Sequence, residues 1–172
     1  LIKMRWLGIT KDTFSRDMGQ YSWYYDVAEL GYKCHMNDII AAIGLVQLEK
    51  LEWMNNRRQE ITQIYNSELQ NTGDIEFIAR KTYQKISAHN YVIKTSRRDE
   101  LNEYLKQKGI STGVHYYPNH LYEMYKPYYR ECPIAEREWK KLITLPLFPD
   151  LSNEQIFYII NNIRDFYRTK QL

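Results

Sequence analysis

The chain has 172 residues, 44% of them hydrophobic and 26% charged, which suits one globular domain or one and a half, with a core of real size. Its 24 basic and 21 acidic residues are interleaved to a net charge of only +3, which argues against a nucleic-acid-binding arm, and no apolar stretch approaches membrane-spanning length. Cys34 and Cys132 are far apart and fit no disulfide framework, so the expected compartment is the reducing cytoplasm.

The opening "LIKMRWLGIT" begins in mid-pattern and reads as the last turn of a helix closed at Gly8, as if the chain were part of something longer. Residues 10 to 30 mix turn formers with aromatics and have no sustained period, with a short strand expected at Tyr24–Val27. From Asp38 to about Leu69 the pattern is helical, with Asn37 or Asp38 as N-cap. Ile39, Ile40, Ile43, Leu45 and Val46 cover every side of its first half, which predicts burial there. After Leu48 the apolar positions narrow to one stripe through Ile61, Ile64, Tyr65 and Leu69.

Beyond "NTGD" the texture changes. Strands are predicted at Ile75–Ala79 and His89–Thr95. Ser96, with Asp99 three residues on, reads as the cap of a helix that stops at Gly109. Another strand is predicted over Ile110–Tyr117, then a short helix from Pro133 and a short strand before Pro146. Ser152 and Gln155 form a capping box ahead of a final helix carrying Ile156, Ile159, Ile160, Ile163 and Phe166 on one face. The order β-β-α-β-α-β-α predicts an α+β layer fold for this part.

The chemistry-bearing residues are sparse. No histidine or cysteine stands at a metal-ligand spacing, and there is no nucleophile elbow, P-loop or dinucleotide fingerprint. Two stretches stand out. "GYKCHMND" sets Lys33, His35 and Asn37 before a helix N-terminus, an arrangement that attracts phosphate and that an ordinary capped helix also explains. "GVHYYPNH" puts His115, Tyr116 and His120 around Pro118, where they could bond an anionic or sugar-like ligand or form an aromatic edge strand. Sixteen tyrosines against five phenylalanines point to half-wet contact surface.

Taken together and in order, "RWLGITKDTFSR", "WYYDVAELGYKCHMNDIIAAIGLVQLEKLEWMNNRR", "ISAHNYVIK", "RRDELNEYLKQKGISTGVHYYPNHL" and "AEREWKKLITLPLFPDLSNEQI" resemble the DegT-type sugar aminotransferases. These are pyridoxal-phosphate (PLP) enzymes of the aspartate-aminotransferase fold type, and the resemblance covers nearly the whole chain. It implies an α/β fold: residues 1–55 as the C-terminal end of the large PLP domain with a dimer-contact loop and the start of a long helix, and residues 56–172 as the small α+β domain. It implies that the PLP lysine lies upstream, that no residue of this chain is catalytic, and that the chain alone is inactive. The loop Tyr32–Asn37 is implied to reach a partner subunit's PLP phosphate, with His35, Lys33 and Asn37 as cofactor-side residues. His35 departs from the Asn or Arg usual in the family, and Cys34 replaces an aromatic and reads as packing. His115, Tyr116 and His120 are implied on the substrate side, and His89 near a domain interface.

The activity implied for the intact enzyme is ping-pong transfer of an amino group from glutamate to a nucleotide-linked keto-sugar, by a cytoplasmic homodimer with neither nucleic-acid nor membrane partners, in surface-polysaccharide or amino-sugar biosynthesis. Two alternatives stay open at this point: a stand-alone small-ligand module derived from the fold, and a PLP sugar dehydratase relative, in which the catalytic lysine is replaced.

Overall fold

A computed structural model describes residues 1, 3–10, 26–34, 36–81, 83–84 and 86–169. The chain divides into two units, Leu1–Lys50 and Leu51–Leu172, and the boundary falls inside one long helix, α1 (Asp38–Glu68). Asn37 caps α1: its Oδ1 accepts the Ile40 N–H and its carbonyl accepts the Ala41 N–H, both at 2.9 Å.

In the first unit the N-terminal segment forms a helical turn and then pairs with residues 26–34 through backbone hydrogen bonds. Tyr32 N–H donates to the Met4 carbonyl at 2.7 Å, Cys34 N–H to Arg5 at 2.9 Å, and Ala28 N–H to Gly8 at 2.9 Å. Gly8 ends the turn at φ +72°, a left-handed position that favours glycine. Gly8 and Gly31 also let the two segments touch, since a Cβ on either would strike the other's backbone or that of Glu29. Val27 makes an isolated bridge to Ile9, while Tyr24 and Tyr25 of the expected strand lie outside the described residues.

The first half of α1 departs from expectation. Ile39 is 73% exposed, Ile43 55% and Leu45 65%. A helix apolar on every side needs neighbours on every side, and the described residues do not provide them. Cys34, expected to pack, is exposed as well.

In the second unit the strands β1 (Glu76–Phe77), β2 (Tyr91–Lys94) and β3 (Leu142–Leu145) form one antiparallel sheet in the order β1-β2-β3. Register pairs Phe77 with Ile93, and Tyr91 with Leu145 through Lys94 with Leu142. Alternation puts Tyr91, Ile93, Ile143 and Leu145 on the buried face. Against that face pack the end of α1 (Ile61, Tyr65, Leu69), α2 (Arg98–Gln107, through Leu101 and Leu105) and α4 (Asn153–Arg168, through Ile156, Ile159, Ile160, Ile163 and Phe166). The capping box of α4 is present in both directions: Gln155 N–H donates to Ser152 Oγ at 3.2 Å and Ser152 N–H to Gln155 Oε1 at 3.0 Å.

Three local readings are corrected. The strand expected at Ile75–Ala79 is only Glu76–Phe77. The N-cap of α2 is Arg97, without a side-chain cap bond, because the Ser96 hydroxyl is taken by Asp74 at 2.5 Å. The strand expected over Ile110–Tyr117 is a single bridge, Gly113 to Thr144, which leaves three strands among the described residues of this part where four were expected. The segment then continues as two 3₁₀ turns, Asn119–Leu121 and Glu123–Tyr128, before the short helix α3 (Pro133–Trp139).

Candidate functional site

Lys33 and Asn37 belong to the first unit. The Lys33 backbone is fixed by a bridge to Trp6, and its exposed ammonium makes no ion pair among the described residues. Asn37 is the cap of α1, which leaves the Asp38 and Ile39 N–H groups without a backbone or side-chain acceptor among the described residues. One cation, two aligned N–H groups and a helix N-terminus suit a phosphate. Asp38 places a carboxylate in the same turn, which the Lys33 charge has to outweigh. His35 lies outside the described residues. The donor set therefore fits the phosphate end of PLP and supplies nothing for its aldehyde end.

His115, Tyr116 and His120 belong to the second unit. Gly113 and Thr144 exchange two backbone hydrogen bonds, N–H to carbonyl at 3.1 Å and 2.7 Å. His115 then folds back over Gly113, and its Nδ1 lies 2.9 Å from Thr144 Oγ1. A side chain at Gly113 would crowd the imidazole, since its Cβ would come within 2.9 Å of Cε1. The Tyr116 ring meets His115 edge-on at 4.7 Å and is itself 68% exposed. These two residues thus form one group on the sheet edge.

His120 is held separately. Its Nε2 lies 2.9 Å from Glu136 Oε1 on α3, and its ring packs 5.9 Å from Tyr129. A carboxylate can only accept, so Nε2 carries the proton; Nδ1 is an acceptor in the neutral ring and a donor in the cation. Tyr117 lies edge-on to Tyr122 and to Trp139, each at 5.0 Å. A cavity of about 500 Å³ borders Glu136. His89 is exposed.

Sequence reasoning missed Thr144 and Glu136, because a threonine in a strand and a glutamate in a charged helix carry no local signal of what they hold. It also missed Asp74. Thr95 Oγ1 and Tyr167 OH donate to Asp74 Oδ1 at 2.7 and 2.8 Å, and Ser96 donates to Oδ2 through its N–H at 2.8 Å and its hydroxyl. Burial raises the Asp74 pKa, but the hydrogen bonds from Ser96, Thr95 and Tyr167 outweigh it and hold the carboxyl well below the usual range. Burial is the main cause that pushes the Tyr167 phenol up. With four donors already in place, Asp74 ties the loop after α1 to β2 and α4 and has no spare role in proton transfer.

The small antiparallel sheet, backed by helices and reached by one long helix, defines a domain of the fold-type-I aminotransferases. The sequence matches the DegT/DnrJ/EryC1/StrS aminotransferase family over residues 2–164, and the chain belongs to that family. It is 36% identical over 149 residues to the GDP-perosamine synthase of Escherichia coli O157:H7, covering 86% of this chain and 40% of that protein. It is 31% identical to the spore coat polysaccharide biosynthesis protein SpsC of Bacillus subtilis, covering 94% of this chain and 44% of that protein. Among solved structures it matches the PMP form of the sugar aminotransferase candidate Spr1654 from Streptococcus pneumoniae at a TM-score of 0.84 and 32% identity, covering 98% of this chain and 44% of that one. Spr1654 is also known in a PLP form, in line with the PLP dependence of this family. The chain thus spans less than half the length of these relatives.

Proposed function

We propose that this chain serves a PLP-dependent aminotransferase that moves an amino group from glutamate to a nucleotide-linked keto-sugar, in surface-polysaccharide or amino-sugar biosynthesis. The observation that carries the reading is the family match over residues 2–164, which takes in both the loop before α1 and the segment around His115. The names of two relatives, a GDP-perosamine synthase and a polysaccharide biosynthesis protein, support the substrate class. In this reading residues 1–55 close the large domain, residues 56–172 form the small one, and the enzyme works as a cytoplasmic homodimer.

Each side chain then has a task. Lys33, the N–H groups that Asn37 leaves open at the start of α1, and His35 hold the cofactor phosphate of the partner subunit. PLP, when bound, supplies the electron sink that lets the amino group leave one carbon and join another. His115, braced by Thr144 over Gly113, and Tyr116 beside it present a ring nitrogen and a phenol to the sugar. His120, with its Nε2 proton fixed by Glu136, offers Nδ1 to the substrate. The chain alone does not transaminate, because none of its lysines stands in the sequence context that the family resemblance requires of the PLP lysine.

The test is a PLP titration of this chain with borohydride trapping, beside a polypeptide that also carries the part its relatives have and this chain lacks. The expected result is no reducible adduct on the chain alone. The longer protein is expected to release 2-oxoglutarate from glutamate when given a nucleotide-linked keto-sugar. A saturable, reducible adduct on a lysine among these 172 residues overturns the division of labour. A longer protein that binds PLP but aminates no such sugar overturns the substrate.

A further inference from the structure

Arg98 stands where a cation is costly. It is the first residue of α2, at the partly positive end of the helix, and it is only 8% exposed. Burial takes water away from its guanidinium. Asp99 Oδ1 lies 2.6 Å from its Nε, yet that buried N–H makes no hydrogen bond of good geometry among the described residues. The Asp99 side chain is itself largely in water, which weakens the pair. An apolar side chain of the same length would avoid all of these costs.

What the cation has in return is Trp139. Its guanidinium carbon lies 5.2 Å from the centre of the Trp139 ring, at the C-terminal end of α3. The Trp139 Nε1–H is also buried without an acceptor among the described residues, so the indole is placed by ring contacts and not by a hydrogen bond. One of those contacts is Tyr117, edge-on at 5.0 Å, and Tyr117 meets Tyr122 in the same way. With seven residues and no side-chain cap bond, α3 is too short to stand without anchors. Lys94 on β2 already ties it to the sheet through Glu138, at 3.4 Å. Glu136 and Trp139, three positions apart on α3, then hold two points of one segment: His120 through the carboxylate and Tyr117 through the indole. Tyr117 directly follows Tyr116 and is two residues from His115.

We infer that Arg98 is a positioning residue for the substrate side of the site. Through Trp139 it sets where Tyr117 stands, and with Tyr117 the segment that carries His115, Tyr116 and His120. This rests on the reading above that those three residues face the sugar, and adds to it a residue of another helix that touches no substrate. A buried cation that breaks the local rules of its helix is retained for what it orders, not for the stability it contributes.

The experiment compares Arg98→Met and Arg98→Lys with the unaltered chain by urea unfolding and by NMR of the Tyr117, His120 and His89 rings. Arg98→Met keeps the length and drops the charge, so its urea midpoint is expected to equal or exceed that of the unaltered chain. Its Tyr117 and His120 signals are expected to move, while those of the exposed His89 stay. Arg98→Lys keeps the charge without the flat guanidinium and is expected to move the same signals by less. In the longer protein Arg98→Met is expected to raise KM for the keto-sugar by about fivefold or more, with amino transfer from glutamate to the cofactor within about twofold. A lowered midpoint with unmoved ring signals and unchanged KM, in either variant, marks Arg98 as structural only and overturns the inference. An Arg98→Met chain that does not fold overturns it too. If the longer protein aminates no such sugar, the reading of the reaction fails, and the Tyr117 and His120 signals of the chain alone still decide whether Arg98 positions them.

Discussion

Asp74 shows how much of this domain is decided by single polar residues that the sequence does not advertise. Four donors from three residues, Thr95, Ser96 and Tyr167, converge on one carboxylate, and hydrogen bonds to a charged group are worth more than neutral ones. The carboxylate remains partly open to water, so Asp74→Asn is expected to destabilise the chain by about 1–3 kcal/mol at neutral pH, read by urea unfolding. The sign of the pH dependence follows from the depressed folded pKa. The stabilisation is complete above the unfolded carboxyl range and fades as pH falls below about 4 toward the folded value. The gap between wild type and variant should therefore narrow on acidification, and a gap constant from pH 7 to 3 would sink the account. His115 and His120 make the complementary point. The sequence singles them out by type, but only the fold shows that Thr144 braces one and Glu136 the other.

At the scale of elements, what could be read in advance follows from local physics. The capping box at Ser152, the apolar stripe of α4, the helix from Asp38 and the strands β2 and β3 each rest on residues within one or two turns of each other, and each is present. The failures come from partners distant in sequence. Ser96 looks like a cap, yet Asp74, 22 positions away, takes its hydroxyl. The Ile110–Tyr117 stretch has strand composition, yet only Gly113 finds a backbone partner in β3. The two observed caps should differ in effect, because α4 is packed into the core and the first turns of α1 are not. Ser152→Ala is expected to cost about 1 kcal/mol of global stability in urea. Asn37→Ala is expected to leave the unfolding midpoint in place and to speed hydrogen exchange at the first amides of α1. Equal shifts in the two midpoints would show that the start of α1 is part of the cooperative core after all.

At the scale of the whole chain, α1 carries the clearest mismatch between what the sequence asks for and what the chain supplies. Its second half shows a narrow stripe, and Ile61 and Tyr65 are fully buried. Its first half is apolar all round and stays largely exposed, from Ile39 to Leu48. The pattern is legible and the burial it predicts is absent among the described residues, in a chain that spans less than half the length of its relatives. An exposed apolar surface of this kind drives association in water. The chain alone is therefore expected to self-associate with rising concentration in analytical ultracentrifugation. Ile43→Glu with Val46→Glu puts two charges on neighbouring turns of that surface and should shift the population toward monomer. Neither position belongs to the packed core, so the urea midpoint of the monomer should change by no more than about 0.5 kcal/mol equivalent. A wild-type chain that stays monomeric at high concentration would mean that the exposed half of α1 finds cover within its own molecule.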